Sequence, residues 1–218
     1  MNSSLCAQQA HGSILLFGQQ ACPVIFGARS SNVKSPDFCK NFNDMVFERL
    51  KRMGGAIPVI IINRASAYIE PGERLMFFGG RPPEQPAKRR AIYERHMIDS
   101  LCRIAATNPV HVVLPVPEMP VDVPAVLARE LILTGKGSIP STPLSTYHEA
   151  NSAMISALHK AQQTCGIHLL DPVPYLCSNE ACHGVASGRP LYSDNNHLSK
   201  TGASRLAPLF ARVWDGSR

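Results

Sequence analysis

A chain of 218 residues, 44% apolar and 17% charged, is long enough to bury a sizeable core and too apolar to be disordered. The net charge of +6 comes from scattered basic residues. The densest group, Lys88, Arg89 and Arg90, opens an expected helix with no aromatic residues interleaved, which argues against a nucleic-acid partner. No apolar run approaches the roughly 18 residues that cross a bilayer. Residues 1–6 lack the basic start and long apolar stretch of a signal peptide, so at face value the sequence reads as soluble and cytoplasmic.

Along the chain, residues 12–17 form a short apolar run ended by Gly18, expected to be a buried strand. Residues 22–36 have loop composition. From Asp37, Phe42, Met45, Val46, Arg49 and Leu50 recur at helical spacing, and Gly54-Gly55 stops that helix. The β-branched run at 58–63 predicts a strand covered on both faces. Residues 70–86 predict a surface loop, 87–106 a long helix, 110–115 a second buried strand and 116–124 a proline-rich loop. Helical signals follow at 125–133 and 147–163, with a strand at 166–171. A last helix after His197 turns Leu206, Leu209, Phe210 and Val213 inward. The alternation predicts one domain over 1–218, a three-layer α/β/α sandwich with a parallel sheet.

Seven cysteines are many for a cytosolic chain of this size. Cys22 with Cys39, and Cys177 with Cys182, form local pairs in turn-rich segments where short disulfide loops are feasible, which points to an oxidising compartment. Cys165, His168, Cys177, Cys182 and His183 also cluster in sequence. Their spacing does not give the two tight ligand pairs of a structural zinc site, so disulfide or thiol is preferred and no metal is expected.

Functional groups of parallel α/β sheets gather on the loops after the strands. Those loops carry Gln19-Gln20, Asn63-Arg64, residues 115–118, and the segment leading to Asp194 and His197. On a loop entering a helix, an Asp and a His three residues apart can turn to one side. The carboxylate then fixes the imidazole tautomer and stabilises the imidazolium formed when a serine proton is taken. The spacing alone is common in loops.

The surrounding string is more specific. Tyr192-Ser-Asp194-Asn-Asn-His197-Leu-Ser199-x-x-Gly202-Ala203, followed by an apolar helix, resembles the last block of SGNH/GDSL hydrolases. More narrowly, it resembles the SGNH domain attached to membrane acyltransferases of the acyltransferase-3 family, which O-acylate bacterial cell-surface glycans. Ala21-Cys22-Pro23, Phe38-Cys39-Lys-Asn-Phe42-Asn43, the proline-rich stretch from Val116 through Glu118 and Asp122 to Pro124, and Cys177, Cys182 and Pro190 to Asp194 extend the resemblance over most of the chain. It implies a flavodoxin-like sandwich and a Ser-Asp-His acyl transfer without metal or organic cofactor. His197 would serve as general base and acid, with Asp194 orienting it. Arg64 and Asn63, at a strand end, would help bind the oxyanion; polar strand-end residues satisfying backbone groups are an equal reading of that pair. Also implied are an acyl donor, expected to be an acetyl donor, and a surface polysaccharide acceptor such as lipopolysaccharide. The place would be the periplasmic face of the inner membrane, with a membrane acyltransferase-3 domain fused upstream. That location reconciles the cysteines with the missing signal peptide.

The departures are as informative. Neither the Gly-Asp-Ser block that carries the family's nucleophile nor its Gly-x-Asn-Asp block is present. In the family that serine lies upstream of the Cys-Pro loop, at a position that would precede Met1. The chain is thus expected to be N-terminally incomplete, to start in the following helix with residues 5–10 as its end, and to lack the first strand. An interior strand lost from a sheet leaves open edges, which predicts low stability or self-association. Ser3 and Ser4 lack the strand-to-helix turn that exposes a nucleophile and are expected to be helix-terminal polar residues. The chain alone is expected to have little activity, and transferase and esterase are the same chemistry with different acceptors. The alternative is a non-catalytic SGNH remnant that binds a glycan or a partner.

Overall fold

The computed structural model describes residues 13–30, 35–54, 57–69, 76–79 and 84–215. Ser3, Ser4, the expected helix end at 5–10 and Cys6 lie outside the described residues. The elements run β1 (Ala28–Ser30), α1 (Phe38–Arg52), β2 (Val59–Ile61), α2 (Ser66–Ile69), β3 (Met76–Phe78), α3 (Pro86–Ala105), β4 (Val110–Val113), α4 (Val123–Thr134), β5 (Ser141–Pro143) and α5 (Leu144–Cys165). They continue β6 (His168–Leu170), α6 (Val173–Leu176), β7 (Cys177–Ser178), β8 (Ala181–His183), β9 (Val185–Ala186), β10 (Arg189–Pro190), α7 (Lys200–Arg205) and α8 (Ala207–Asp215). The described residues divide into two compact units, one built on segments within 16–115 and 151–170, the other on 13–15, 116–150 and 171–215.

The first of these units holds the parallel sheet, in the order β2-β4-β6. Central β4 is a Val-rich run whose Val110, Val112 and Val113 are buried, as a strand paired on both sides requires. Around it pack Ile25, Phe47, Tyr93, Met97, Leu101, Ile104, Met154 and Leu158 from the preceding loop and from α1, α3 and α5. Two devices tie the loop before β1 to α1. The Asn43 amide donates to the carbonyls of Pro23 and Ile25, both at 2.9 Å. The Arg103 guanidinium of α3 sits over the rings of Phe26 and Phe47, at 4.8 and 4.7 Å. The disulfide Cys22–Cys39 closes the same corner, and Cys102–Cys165 joins α3 to the end of α5.

The second unit is built on short antiparallel strands, β5-β8-β7 and the ribbon β9–β10, with α4, α6, α7 and α8. Cys177–Cys182 closes the β7–β8 hairpin. Leu206, Leu209, Phe210 and Val213 are all buried, as their spacing predicts, although the last helix is broken at Leu206 into α7 and α8.

The α/β class with a parallel sheet is the expected one. Three elements differ. Residues 13–17 form no strand; Ile14, Leu15, Leu16 and Phe17 are exposed, Leu16 at 81%. A β-prone run becomes a strand only where a neighbour completes its ladder, and among the described residues none pairs with it. Among the described residues β2 pairs with β4 alone and is an edge: Ile61 is buried, Val59 and Ile60 are half-buried and Ile62 is exposed. The loop at 70–86 contains β3, which pairs antiparallel with β1.

The bridges differ in the chain they constrain. Cys102 and Cys165 are 63 residues apart and Cys177 and Cys182 only 5, so loop closure assigns them about 4 and about 2 kcal/mol. In urea titrations, the paired Cys102→Ala/Cys165→Ala change costs about twice what Cys177→Ala/Cys182→Ala does; equal losses contradict this. A second expectation concerns the paired, stacked rings of His111 and His168, 4.8 Å apart. Burial, then the neighbouring His168, lowers the His111 pKa below its ordinary 6.5. The neutral ring is therefore favoured in the fold, and its contribution is complete above the unfolded value and lost as pH falls through the lowered folded one. Stability of the wild type falls more steeply from about pH 7 to about pH 5 than that of His111→Gln; parallel curves contradict it.

Candidate active site

The segment 190–203 is held by buried side chains and backbone hydrogen bonds. Leu191 and Tyr192 are buried at 1% and 0% exposure, and Tyr192 forms a β-bridge with Leu198. Between them the chain makes a tight loop in which Ser193 N–H donates to the His197 carbonyl at 2.8 Å. Asp194 fixes the inside of that loop: its Oδ1 accepts the backbone N–H groups of Asn196 and His197, each at 2.7 Å. This turn leaves Oδ2 facing the imidazole, 2.6 Å from His197 Nδ1. The three-residue spacing thus works through an Asp-centred turn, with the helix beginning only after Ser199.

Charge follows the hydrogen bonds. Burial alone would raise the Asp194 carboxyl, but the two backbone N–H donors and the imidazole outweigh it and hold its pKa at about 2. Asp194 is therefore an anion throughout the physiological range and accepts from Nδ1. That assignment places the ring proton on Nδ1 and leaves Nε2 with a lone pair. The His197 side chain is 75% exposed, and among the described residues nothing bonds Nε2. The pair can take a proton at a solvent-facing nitrogen and stabilise the charge that results.

The proline-rich loop before α4 supports this arrangement from behind. Tyr192 Oη donates to the Pro117 carbonyl at 2.7 Å, across 75 residues of sequence. Met119 N–H donates to the Asn195 carbonyl at 2.7 Å and Val123 N–H to the Asp194 carbonyl at 3.2 Å. Thr142 Oγ1 donates to the Glu118 carbonyl at 2.6 Å, fixing the loop in turn. Burial, then the charge of Glu118, pushes the Tyr192 phenol well up, so it stays a donor. Ser199 caps α7 through its Oγ to Gly202 N–H and donates to the Pro190 carbonyl. Gly202 is required at its place because any Cβ there would run into the Leu191 carbonyl.

Asn63 and Arg64 follow β2, at the C-terminal end of the strand as expected. Asn63 is half-buried and lines a small hollow with Ile25, Ile61, Ala65, Tyr93 and Leu158. Arg64 is exposed, and its carbonyl accepts Ala67 N–H at the start of α2. Both belong to the unit with the parallel sheet, whereas Asp194 and His197 belong to the other. Cys22–Cys39 and Cys177–Cys182 are disulfides, as the sequence suggests. Cys165, weighed as a zinc ligand, is instead bonded to Cys102, so none of the clustered cysteines is a thiolate ligand. His183 faces Ser178 Oγ at 2.8 Å across the disulfide hairpin, but among the described residues no carboxylate bonds that imidazole. The Tyr192–Pro117 bond and Cys102–Cys165 are the features sequence reasoning missed; a tyrosine in an apolar run two residues before the aspartate was the signal for the former.

Two substitutions measure this support. Gly202→Ala costs about 2–3 kcal/mol of stability, because backbone has to move to admit the methyl group. Tyr192→Phe costs about 1–3 kcal/mol, because the Pro117 carbonyl loses its donor while buried. Denaturant titration reads both, and a loss below about 0.5 kcal/mol in either contradicts the account.

Comparison with known proteins supplies the family. Residues 3–212 match the family described as "SGNH domain (fused to AT3 domains)". Among solved structures, the chain is similar to the lipopolysaccharide acetyltransferase periplasmic domain of Salmonella ser. Paratyphi A. The TM-score is 0.62 and the identity 16%, with 96% of this chain and 76% of that one covered, so the likeness is one of fold. No curated protein sequence matches. On the strength of a match over nearly its whole length, the chain belongs to the family of SGNH domains found fused to AT3 domains.

Proposed function

We propose that this chain supplies the acid/base half of an acyl-transfer site that moves an acyl group, in the first instance acetyl, onto a hydroxyl of a cell-surface polysaccharide. The observation that carries the reading is the 2.6 Å bond between Asp194 Oδ2 and His197 Nδ1, with Nε2 left open. The protein of the Salmonella domain is a lipopolysaccharide acetyltransferase, which supports the acetyl group and the class of acceptor. Its domain is periplasmic, and the three disulfides here suit that compartment.

In the proposed cycle a serine from outside these 218 residues, which contain no Gly-Asp-Ser, gives its proton to His197 Nε2 as its oxygen attacks the acyl carbonyl. The imidazolium, stabilised by Asp194, returns the proton to the leaving group. A sugar hydroxyl then attacks the acyl-serine ester while His197 takes the hydroxyl proton, and the serine oxygen leaves with it. Arg64 and Asn63 are the proposed donors to the oxyanion of both steps. Water in place of the sugar gives hydrolysis. The membrane AT3 domain is the partner that provides the acyl group.

In cells of the source organism, His197→Ala abolishes the acetate released from surface polysaccharide by mild base. Asp194→Asn lowers the transfer rate by about 10⁴, the loss expected when the imidazole is held in the wrong tautomer. Undiminished acetate in His197→Ala contradicts the catalytic reading and leaves a glycan- or partner-binding role. The 218-residue chain by itself hydrolyses p-nitrophenyl acetate no faster than its His197→Ala form; clear His197-dependent turnover contradicts an external nucleophile.

A further inference from the structure

The C-terminal end of α4 is unlike any helix end described so far. The helix is capped by Asp122, whose carboxylate accepts Ala125 N–H at 2.9 Å, and its first two turns bury Val123 and Leu127. It then continues Leu131-Ile132-Leu133, exposed at 49%, 82% and 72%, and Ile139 beyond the turn is exposed at 63%. Every residue from 131 to 137 is exposed.

This end is nonetheless well formed. Gly135 closes the helix in the left-handed conformation at φ 70°, donating to the Leu131 carbonyl at 3.0 Å. Thr134 Oγ1 donates to the Glu130 carbonyl at 2.8 Å and contacts the Lys136 carbonyl at 3.0 Å. The chain then folds back so closely that a Cβ on Gly137 would lie 2.6 Å from Leu127 Cδ1. The aliphatic side chains are therefore presented outward by a fixed tip.

Successive helical residues point about 100° apart, so Leu131, Ile132 and Leu133 together sweep roughly 200° of the helix circumference. A protein groove covers a stripe, with contacts spaced three and four residues apart. Three consecutive exposed aliphatic residues at a helix end are covered over so wide an arc most completely by a medium that surrounds them. Exposed Arg129 and Lys136 flank the tip; the Arg129 guanidinium lies 3.9 Å from Glu130, whereas among the described residues no carboxylate lies within ion-pair distance of Lys136. Long basic side chains beside an apolar tip match a surface with an apolar interior and an anionic rim. The family is one of SGNH domains fused to AT3 domains, and a membrane acyltransferase partner, as the resemblance implies, would bring such a surface near the tip.

We infer that Leu131, Ile132, Leu133 and Ile139, with Lys136 beside them, insert into the headgroup region of an anionic lipid bilayer. The inference stands on the tip and is independent of the catalytic reading. It is tested by co-sedimenting the 218-residue chain with vesicles of mixed phosphatidylcholine and phosphatidylglycerol. The wild type sediments with these vesicles, and Ile132→Glu/Leu133→Glu lowers the apparent affinity about tenfold or more while retaining the wild-type circular dichroism. Lys136→Glu weakens binding to the mixed vesicles and not to pure phosphatidylcholine. Should the Glu pair fail to fold, Ile132→Ser/Leu133→Ser carries the same expectation. Equal sedimentation of wild type and double variant overturns the proposal, as does a wild type that stays in solution. So does self-association lost in the double variant without any vesicle binding, which makes the tip an interface between copies.

Discussion

The carboxylate of Asp194 divides its two oxygens between two tasks, and the candidate site depends on that division. Oδ1 accepts two backbone N–H groups and so shapes the turn; Oδ2 accepts the imidazole and so sets its tautomer. A carboxylate with three charge-assisted bonds stays ionised even where partial burial opposes it, which is why its pKa lies near 2. The ring is oriented by the same group that orients the loop, so chemistry and local structure cannot be uncoupled at this residue.

Such a turn is useful only if the loop itself does not drift. The backbone carbonyls of Asp194 and Asn195 are both occupied by N–H groups of the 119–123 segment, and Tyr192 reaches back to Pro117. Proline suits this loop because its fixed φ lowers the entropy lost on ordering and its missing N–H leaves no donor to satisfy. Gly202 lets α7 start against the Leu191 carbonyl, so the helix begins directly after the Asp194 turn. Each of these contacts joins segments of the same compact unit.

How much of this was legible in the sequence follows from the range of each interaction. The β-branched runs of β2 and β4 and the helical spacing of α1 and α3 are local signals, and the structure contains those elements. The Asp194–His197 bond spans three residues and was equally readable. By contrast, the Tyr192–Pro117 bond spans 75 residues and Cys102–Cys165 spans 63, and no local pattern pairs such positions. The strands β5 and β7 to β10 are two or three residues long, too short for an alternation to register. Residues 13–17 show the opposite failure, a strong strand signal with no partner among the described residues to realise it.

The pairing of Asp194 with Nδ1 has one direct spectroscopic consequence. In the long-range ¹H–¹⁵N spectrum of the histidine-labelled chain, at a pH where the ring is neutral, His197 should show a protonated Nδ1 and an unprotonated Nε2, and Asp194→Ala should abolish that preference. A neutral His197 carrying its proton on Nε2 would contradict the account, because the nitrogen proposed to receive the serine proton would already hold one.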